Sequence, residues 1–151
     1  MIVVNELFKQ FRAAGEDIIA VNKLSFSVAA GEVYGLLGPN GAGKTTTMRM
    51  IVGLLKADSG YAEVGGYRSS TEPDAVKSQL GLVSANDGVY PWLSVREMLI
   101  FFADLYGVPH KVALPRMEQL AHTFGLRKIL ERRCANLSTG QKQRVILARG
   151  L

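Results

Sequence analysis

Nine consecutive residues, Gly38-Pro39-Asn40-Gly41-Ala42-Gly43-Lys44-Thr45-Thr46, constrain this chain more than any other feature. They complete the pattern G-x-x-x-x-G-K-[ST], that of a phosphate-binding loop. Glycines at 38, 41 and 43 let the backbone curl tightly enough for successive N–H groups to point inward at phosphate oxygens. On that reading Lys44 reaches the β- and γ-phosphates and the Thr45 hydroxyl ligates Mg²⁺. Context strengthens the pattern. Val33 to Leu37 is a short apolar run, as expected of a strand buried on both faces of a parallel sheet. After the loop, Met48, Ile51, Val52 and Leu55 fall on one face of a helix whose N-terminus meets the phosphates. The competing reading is a glycine-rich turn with a chance lysine.

Around this centre the chain reads as mixed α/β. Ile2 to Phe8 and Ile18 to Val28 read as strands paired in an antiparallel hairpin around Ala14-Gly15-Glu16, with Leu24, Phe26 and Val28 alternating with Ser25 and Ser27. Asp58-Ser59-Gly60 and Gly65-Gly66 bracket a short strand from Tyr61 to Val64. A small helix near Pro73 to Gln79 leads to a further strand from Leu80 to Ser84. Ser94-Val95-Arg96-Glu97 is a capping box, opening a helix with Val95, Met98, Leu99, Phe102 and Tyr106 as its buried stripe. Gly107 and Pro109 stop it. The next helix covers about His110 to Phe124, with Pro115 near its first turn and Gly125 at its C-cap.

Composition narrows the function classes. At 151 residues the chain is long and apolar enough for one domain with a core, and no internal repeat, low-complexity tract or linker marks a second. No apolar run approaches the roughly 18 residues of a membrane span, and the N-terminus lacks a signal-peptide layout. Cys134 is alone, so neither an intrachain disulfide nor a cysteine metal site can be built, which fits a reducing compartment. Eighteen basic against 13 acidic residues give +5, which suits nucleotide phosphates or anionic lipid headgroups and is too small to argue for nucleic acid.

A second motif sharpens the reading. In Leu137-Ser138-Thr139-Gly140-Gln141, Ser138 and Gln141 stand three apart before a helix running to the chain end, which is again a capping box. The box does not explain Gly140, which costs up to about 1 kcal/mol in a first helical turn relative to alanine and points to close approach by something else. A helix N-terminus with free N–H groups, a serine hydroxyl and a bare glycine is a second anion site.

A phosphate loop, a helical insertion and then L-S-x-G-Q before a helix resembles the nucleotide-binding subunit of ATP-binding cassette (ABC) transporters, over the whole chain. Residues 42–51 and 88–99 look most like the branch serving sodium extrusion, drug export and ABC-2 type permeases. The resemblance implies an α/β fold: a P-loop NTPase core with an N-terminal antiparallel β subdomain and an inserted α-helical subdomain, the C-terminal part of the core missing. The division is 1–32 antiparallel region, 33–86 loop core, 87–137 helical subdomain and 138–151 signature helix, all in one domain. It implies ATP and Mg²⁺ as ligands, and a second nucleotide-binding subunit that sandwiches ATP. Nucleotide contacts are expected from Gly38, Asn40, Gly41, Ala42, Gly43, Lys44, Thr45 and Thr46, with Ser138, Gly140 and Gln141 reaching the γ-phosphate on the partner's Lys44. Phe11 is either the ring that stacks on adenine or an ordinary strand-end core residue. An integral-membrane permease is expected to dock around Asp87 to Ser94, centred on Tyr90, Trp92 and Leu93. The alternative for Trp92 is a plug between the helical block and the sheet. The expected location is cytoplasmic, held at the inner face of the membrane by the permease, with no nucleic acid partner.

This chain departs from the family pattern in three places. Ala85, followed by Asn86 and Asp87, stands where a glutamine usually touches Mg²⁺ and the attacking water. Thr139 replaces the commoner glycine. The expected apolar strand ending in Asp-Glu, and the later histidine, are not among these residues, so the chain alone is expected to bind ATP weakly without turning it over. A non-hydrolytic nucleotide-binding module and a soluble ABC protein acting on ribosomes or DNA are the alternative functions. The Leu137–Gln141 motif argues against a small P-loop kinase.

Overall fold

A computed structural model describes residues 1–13, 15–83 and 88–151, in two compact units spanning Met1–Leu80 and Gly81–Leu151. The first unit is built on a long hairpin. Strands β1 (Ile2–Ala13) and β2 (Glu16–Val28) pair antiparallel from Ile2 opposite Val28 to Ala13 opposite Glu16. β3 (Ser59–Val64) joins the other edge of β1, and β4 (Tyr67–Arg68) closes the order β2-β1-β3-β4. Helix α1 (Lys44–Ile51) lies on this sheet and α2 (Pro73–Ser78) follows β4. Val4, Leu7, Val21, Ala62 and Val64 of the sheet bury with Met50, Ile51 and Val76 of the helices. Each such side chain contributes about 1.5–3 kcal/mol when removed from water.

Three expectations need correction in this unit. Val33 to Leu37 is not in a strand, and Val33 and Leu37 are 98% and 92% exposed. A strand exists only through the ladder its neighbours supply, and among the described residues no segment runs beside this one. Tyr34 stacks on Phe26 with ring centroids 4.7 Å apart. Leu80 to Val83, the described part of another expected strand, is likewise unpaired, with Ser84 outside the described residues. Of the expected face of α1, Ile51 and Val52 are buried and Leu55 packs against the same core, whereas Met48 is exposed and Thr47 and Met50 are buried in its place.

The second unit is helical. α3 (Val95–Leu105) and α4 (His110–Thr123) are followed by α5 (Thr139–Arg149), with 3₁₀ turns at Arg127–Ile129 and Cys134–Asn136 between α4 and α5. Val95, Met98 and Leu99 of α3 pack with Met117 and Ala121 of α4 and Val145 and Ala148 of α5. Leu126, Ile129, Leu130 and Leu137 complete this core from the connections. The Ser94 box forms as expected, with Ser94 Oγ accepting the Glu97 N–H at 3.2 Å and the Glu97 carboxylate accepting the Ser94 N–H at 2.7 Å. Tyr106 leaves the expected stripe: it caps α3 and is 77% exposed. Pro115 sits in the second turn of α4, its sixth residue, and the helix runs through it to Thr123. Cys134 is fully buried, and burial pushes its thiol up, so it behaves as a core residue.

Candidate nucleotide-binding site

The loop leaves the hairpin through a turn in which the Glu32 carboxylate accepts the Ala29 N–H at 2.7 Å. Gly38, Gly41 and Gly43 follow with φ of 153°, 85° and 83°, a region closed to most side chains. Gly43 carries a second constraint. A Cβ at this position would collide with the Ala20 carbonyl of β2, so only glycine lets the loop seat against the hairpin. Seating fixes the start of α1 at Lys44, and with it the direction in which the first-turn N–H groups point.

That first turn is open. Gly43 provides no side-chain cap, and no acidic residue stands in the turn to compete for its positive end. Lys44 folds back over the loop and its Nζ donates to the carbonyl oxygens of Gly38 and Pro39, both at 2.6 Å. Two neutral carbonyls are weaker acceptors for an ammonium than phosphate oxygens, so an entering polyphosphate has an exchange in its favour. Thr45 is exposed and Thr46 half-buried immediately beside it, and Asn40 and Ala42 lie on the exposed rim. Glycine backbone, a lysine and a threonine hydroxyl at one uncapped helix start fit the phosphates of a nucleotide with a hard cation such as Mg²⁺.

Phe11 lies on β1 opposite Ile18 of β2, two residues along from the Ala20 that walls Gly43. Phe11 is 41% exposed. A pair that the sequence did not reveal stiffens this end of the strand. Lys9 Nζ donates to Asp58 at 2.7 Å and lies 5.5 Å from the Phe11 centroid, and the Gln10 N–H donates to the same carboxylate at 2.8 Å. The Lys9 hydrogen bond first, then that of Gln10, holds the Asp58 carboxyl below its ordinary range. Lys9 and Asp58 are 49 residues apart in sequence, so only the pairing of β3 with β1 shows them to be neighbours.

In the second unit, Ser138 caps α5 as its spacing predicts. Ser138 Oγ accepts the Gln141 N–H at 3.3 Å and Gln141 Oε1 accepts the Ser138 N–H at 2.9 Å. Gly140 is exposed with nothing within 4 Å of where a Cβ would stand, so no intrachain contact explains it. Ala85, Asn86 and Asp87 lie outside the described residues. Tyr90, Trp92 and Leu93 belong to a loop held by the distant Cys134–Asn136 turn, the Cys134 N–H donating to Leu93 O and the Ala135 N–H to Pro91 O. Tyr90 stacks on Trp92 at 5.4 Å and meets Phe101 edge-on at 5.7 Å, while Trp92 remains 66% exposed.

An α/β chain with an uncapped glycine-lysine helix start, and a second helix opened by L-S-x-G-Q, defines an ATP-binding cassette. Residues 21–151 match the sequence profile of the ABC transporter family, and the chain belongs to it. It is 36% identical over 152 residues to the ABC transporter ATP-binding protein NatA of Bacillus subtilis (strain 168), covering 100% of this chain and 62% of that protein. It is 39% identical over 140 residues to the linearmycin resistance ATP-binding protein LnrL of the same organism, covering 93% of this chain and 45% of that one. The chain thus spans about half the length of the curated relatives it matches. Among solved structures, an ATP-binding subunit of an ABC transporter superposes with a TM-score of 0.80 at 29% identity, over 99% of this chain and 60% of the other. A bacterial ABC transporter cassette solved as a dimer superposes with a TM-score of 0.81 at 23% identity, over 100% of this chain and 69% of the other, and so bears on the fold alone. Among the described residues, no helix is long and apolar enough to cross a membrane.

Proposed function

We propose that this chain is the nucleotide-binding part of a subunit that energises an ABC-type exporter. The observation that carries the reading is the start of α1, uncapped, free of acid, and overlain by a lysine whose partners are replaceable carbonyls. Gly38 to Thr46 hold the phosphates, Thr45 supplies the hydroxyl for Mg²⁺, and Phe11 offers its exposed ring to the base. Ser138, Gly140 and Gln141 present a second helix start to the γ-phosphate bound by another cassette, so two copies close on shared ATP. Dimeric cassettes among the fold neighbours, one bound to ADP and phosphate, support this arrangement. In the complete protein, closure and hydrolysis drive the permease.

Export rather than uptake is supported by relatives whose names describe drug resistance and Nod factor export. The permease docks on the loop of Tyr90, Trp92 and Leu93, where Trp92 stacks on Tyr90 and is itself 66% exposed. The subunit is thereby peripheral at the cytoplasmic face of the membrane. Titration of a fluorescent ATP analogue against parent and Lys44→Ala tests the site, and an unchanged dissociation constant sinks it. Cysteine cross-linking from position 92 tests the docking loop; efficient labelling that never captures a multi-span protein refutes it.

A further inference from the structure

The charge of this chain is carried by one of its two units. Residues 1–80 hold eight Lys and Arg against eight Asp and Glu, whereas residues 81–151 hold ten against five, so the whole excess of +5 lies in the helical unit. Most acids of that unit are already engaged. Glu97 closes the Ser94 box, Asp104 pairs with His110, and Glu118 and Glu131 both pair with Arg96. The cations are not matched in the same way. Arg127, Lys128 and Arg132 are exposed and, among the described residues, make no side-chain hydrogen bond or ion pair. Arg133 beside them is exposed too, with Glu97 as its nearby charge.

The fold fixes these four cations on one edge. Leu126, Ile129 and Leu130 sink into the helical core, which forces the polar residues between and after them outward from the 3₁₀ turn. The segment is then tied to the start of α3 by the Val95 N–H donating to Arg132 O and the Arg96 N–H to Leu130 O. Ser94 and Arg133 form an antiparallel bridge, so the backbone carrying Tyr90 and Trp92 runs alongside that carrying Arg132 and Arg133. Four exposed cations, three of them without a side-chain partner among the described residues, beside the exposed ring of Trp92 combine the two features that hold proteins at a bilayer surface: cations for headgroup phosphates and an amphipathic ring for the interfacial layer. We propose that this edge, centred on Arg127, Lys128, Arg132 and Arg133, binds the anionic headgroups of a membrane surface directly. The contact is made to lipid and goes beyond nucleotide binding; because Trp92 beside these cations is also placed in the proposed permease loop, the vesicles used to test it carry no permease.

Trp92 is the only tryptophan in the chain, so its fluorescence reports on this edge without a label. The full chain, with and without ATP, is titrated with vesicles of phosphatidylcholine alone and of phosphatidylcholine mixed with phosphatidylglycerol. Binding and a blue shift with the anionic vesicles only, weakening steeply with salt and indifferent to ATP, are the expected result. Each cation near an anionic surface is worth about fivefold in affinity, so Arg127→Glu/Lys128→Glu/Arg132→Glu should lose at least about a hundredfold. Lys23→Glu/Lys56→Glu, on exposed positions of the other unit, should lose far less. Circular dichroism of both variants separates lost binding from lost fold, and the salt titration of the unmodified chain does not depend on any variant. Equal binding to neutral vesicles, no binding to either kind, or an unchanged triple variant overturns the proposal. So does capture by a short DNA duplex in place of vesicles, or binding that appears only when vesicles contain the permease.

Discussion

The first turns of α1 and α5 meet the same electrostatic problem in opposite ways. Any helix start leaves about four N–H groups without intrahelical partners. α5 satisfies two of its amides within itself, through the reciprocal bonds of Ser138 and Gln141. α1 has glycine at its cap and satisfies none by a side chain. The self-sufficient start folds without help and leaves only the bare surface at Gly140 to offer a ligand. The open start leaves its amides to a ligand, which in the proposed function is the nucleotide's phosphates. The α3 start calibrates the contrast, because Ser94 and Glu97 build the α5 geometry with a carboxylate in place of the Gln141 amide. A carboxylate is harmless at α3, where Ser94 is buried. At the exposed α5 start the neutral amide makes the same bond without repelling a phosphate.

The largest effect expected from this contrast comes from exchanging its glycines. Gly43→Ala places a Cβ against the Ala20 carbonyl at a φ of 83°, and should cost about 2–6 kcal/mol through strain and overpacking together. Gly140→Ala meets nothing and should leave stability unchanged or raise it by up to about 1 kcal/mol. Urea midpoints of the two variants decide the matter; equal shifts would erase the distinction between the two helix starts. Next in size, Lys44→Ala should weaken nucleotide binding at least tenfold, since a charge-assisted bond is worth about 1.5–3 kcal/mol, while leaving the urea midpoint near that of the parent. A loss of fold instead would make Lys44 structural.

Ser138→Ala should cost about 1 kcal/mol of stability, the ordinary value of an N-cap. Gln141→Glu should keep the cap, and with it the stability, while weakening nucleotide-dependent association of two chains. Unimpaired association in analytical ultracentrifugation with ATP would remove Gln141 from the proposed sandwich. The smallest effect is a pH dependence confined to α3. The Ser94 N–H, then the Ser94 hydroxyl, holds the Glu97 carboxyl below its ordinary value in the folded chain. A depressed folded pKa gives stability that is fully present above the unfolded value of about 4.3 and is lost as pH falls through the folded one. Glu97→Gln should therefore flatten part of the acid limb of a stability-against-pH curve; an identical limb would mean that the box carries no titrating contribution.

Everything local was legible in the sequence. The glycine spacing announced the loop, and Ser-x-x-Glu and Ser-x-x-Gln announced two helix starts, because such bonds close within four residues and need no distant partner. The hairpin was legible from alternation and turn residues, and so was the short strand from Tyr61 to Val64, which in the fold begins two residues earlier at Ser59. Tertiary structure decided whatever depends on a neighbour far along the chain. Val33 to Leu37 has the composition of a buried strand, yet composition supplies no ladder, and the segment lies exposed. Asp58 found Lys9 only because β3 pairs with β1. On α1, Ile51 turned inward as its spacing implied, but Thr47 and Met50 are buried where Met48 was expected. A pattern fixes which residues share a face, and contact with the rest of the chain fixes where that face points.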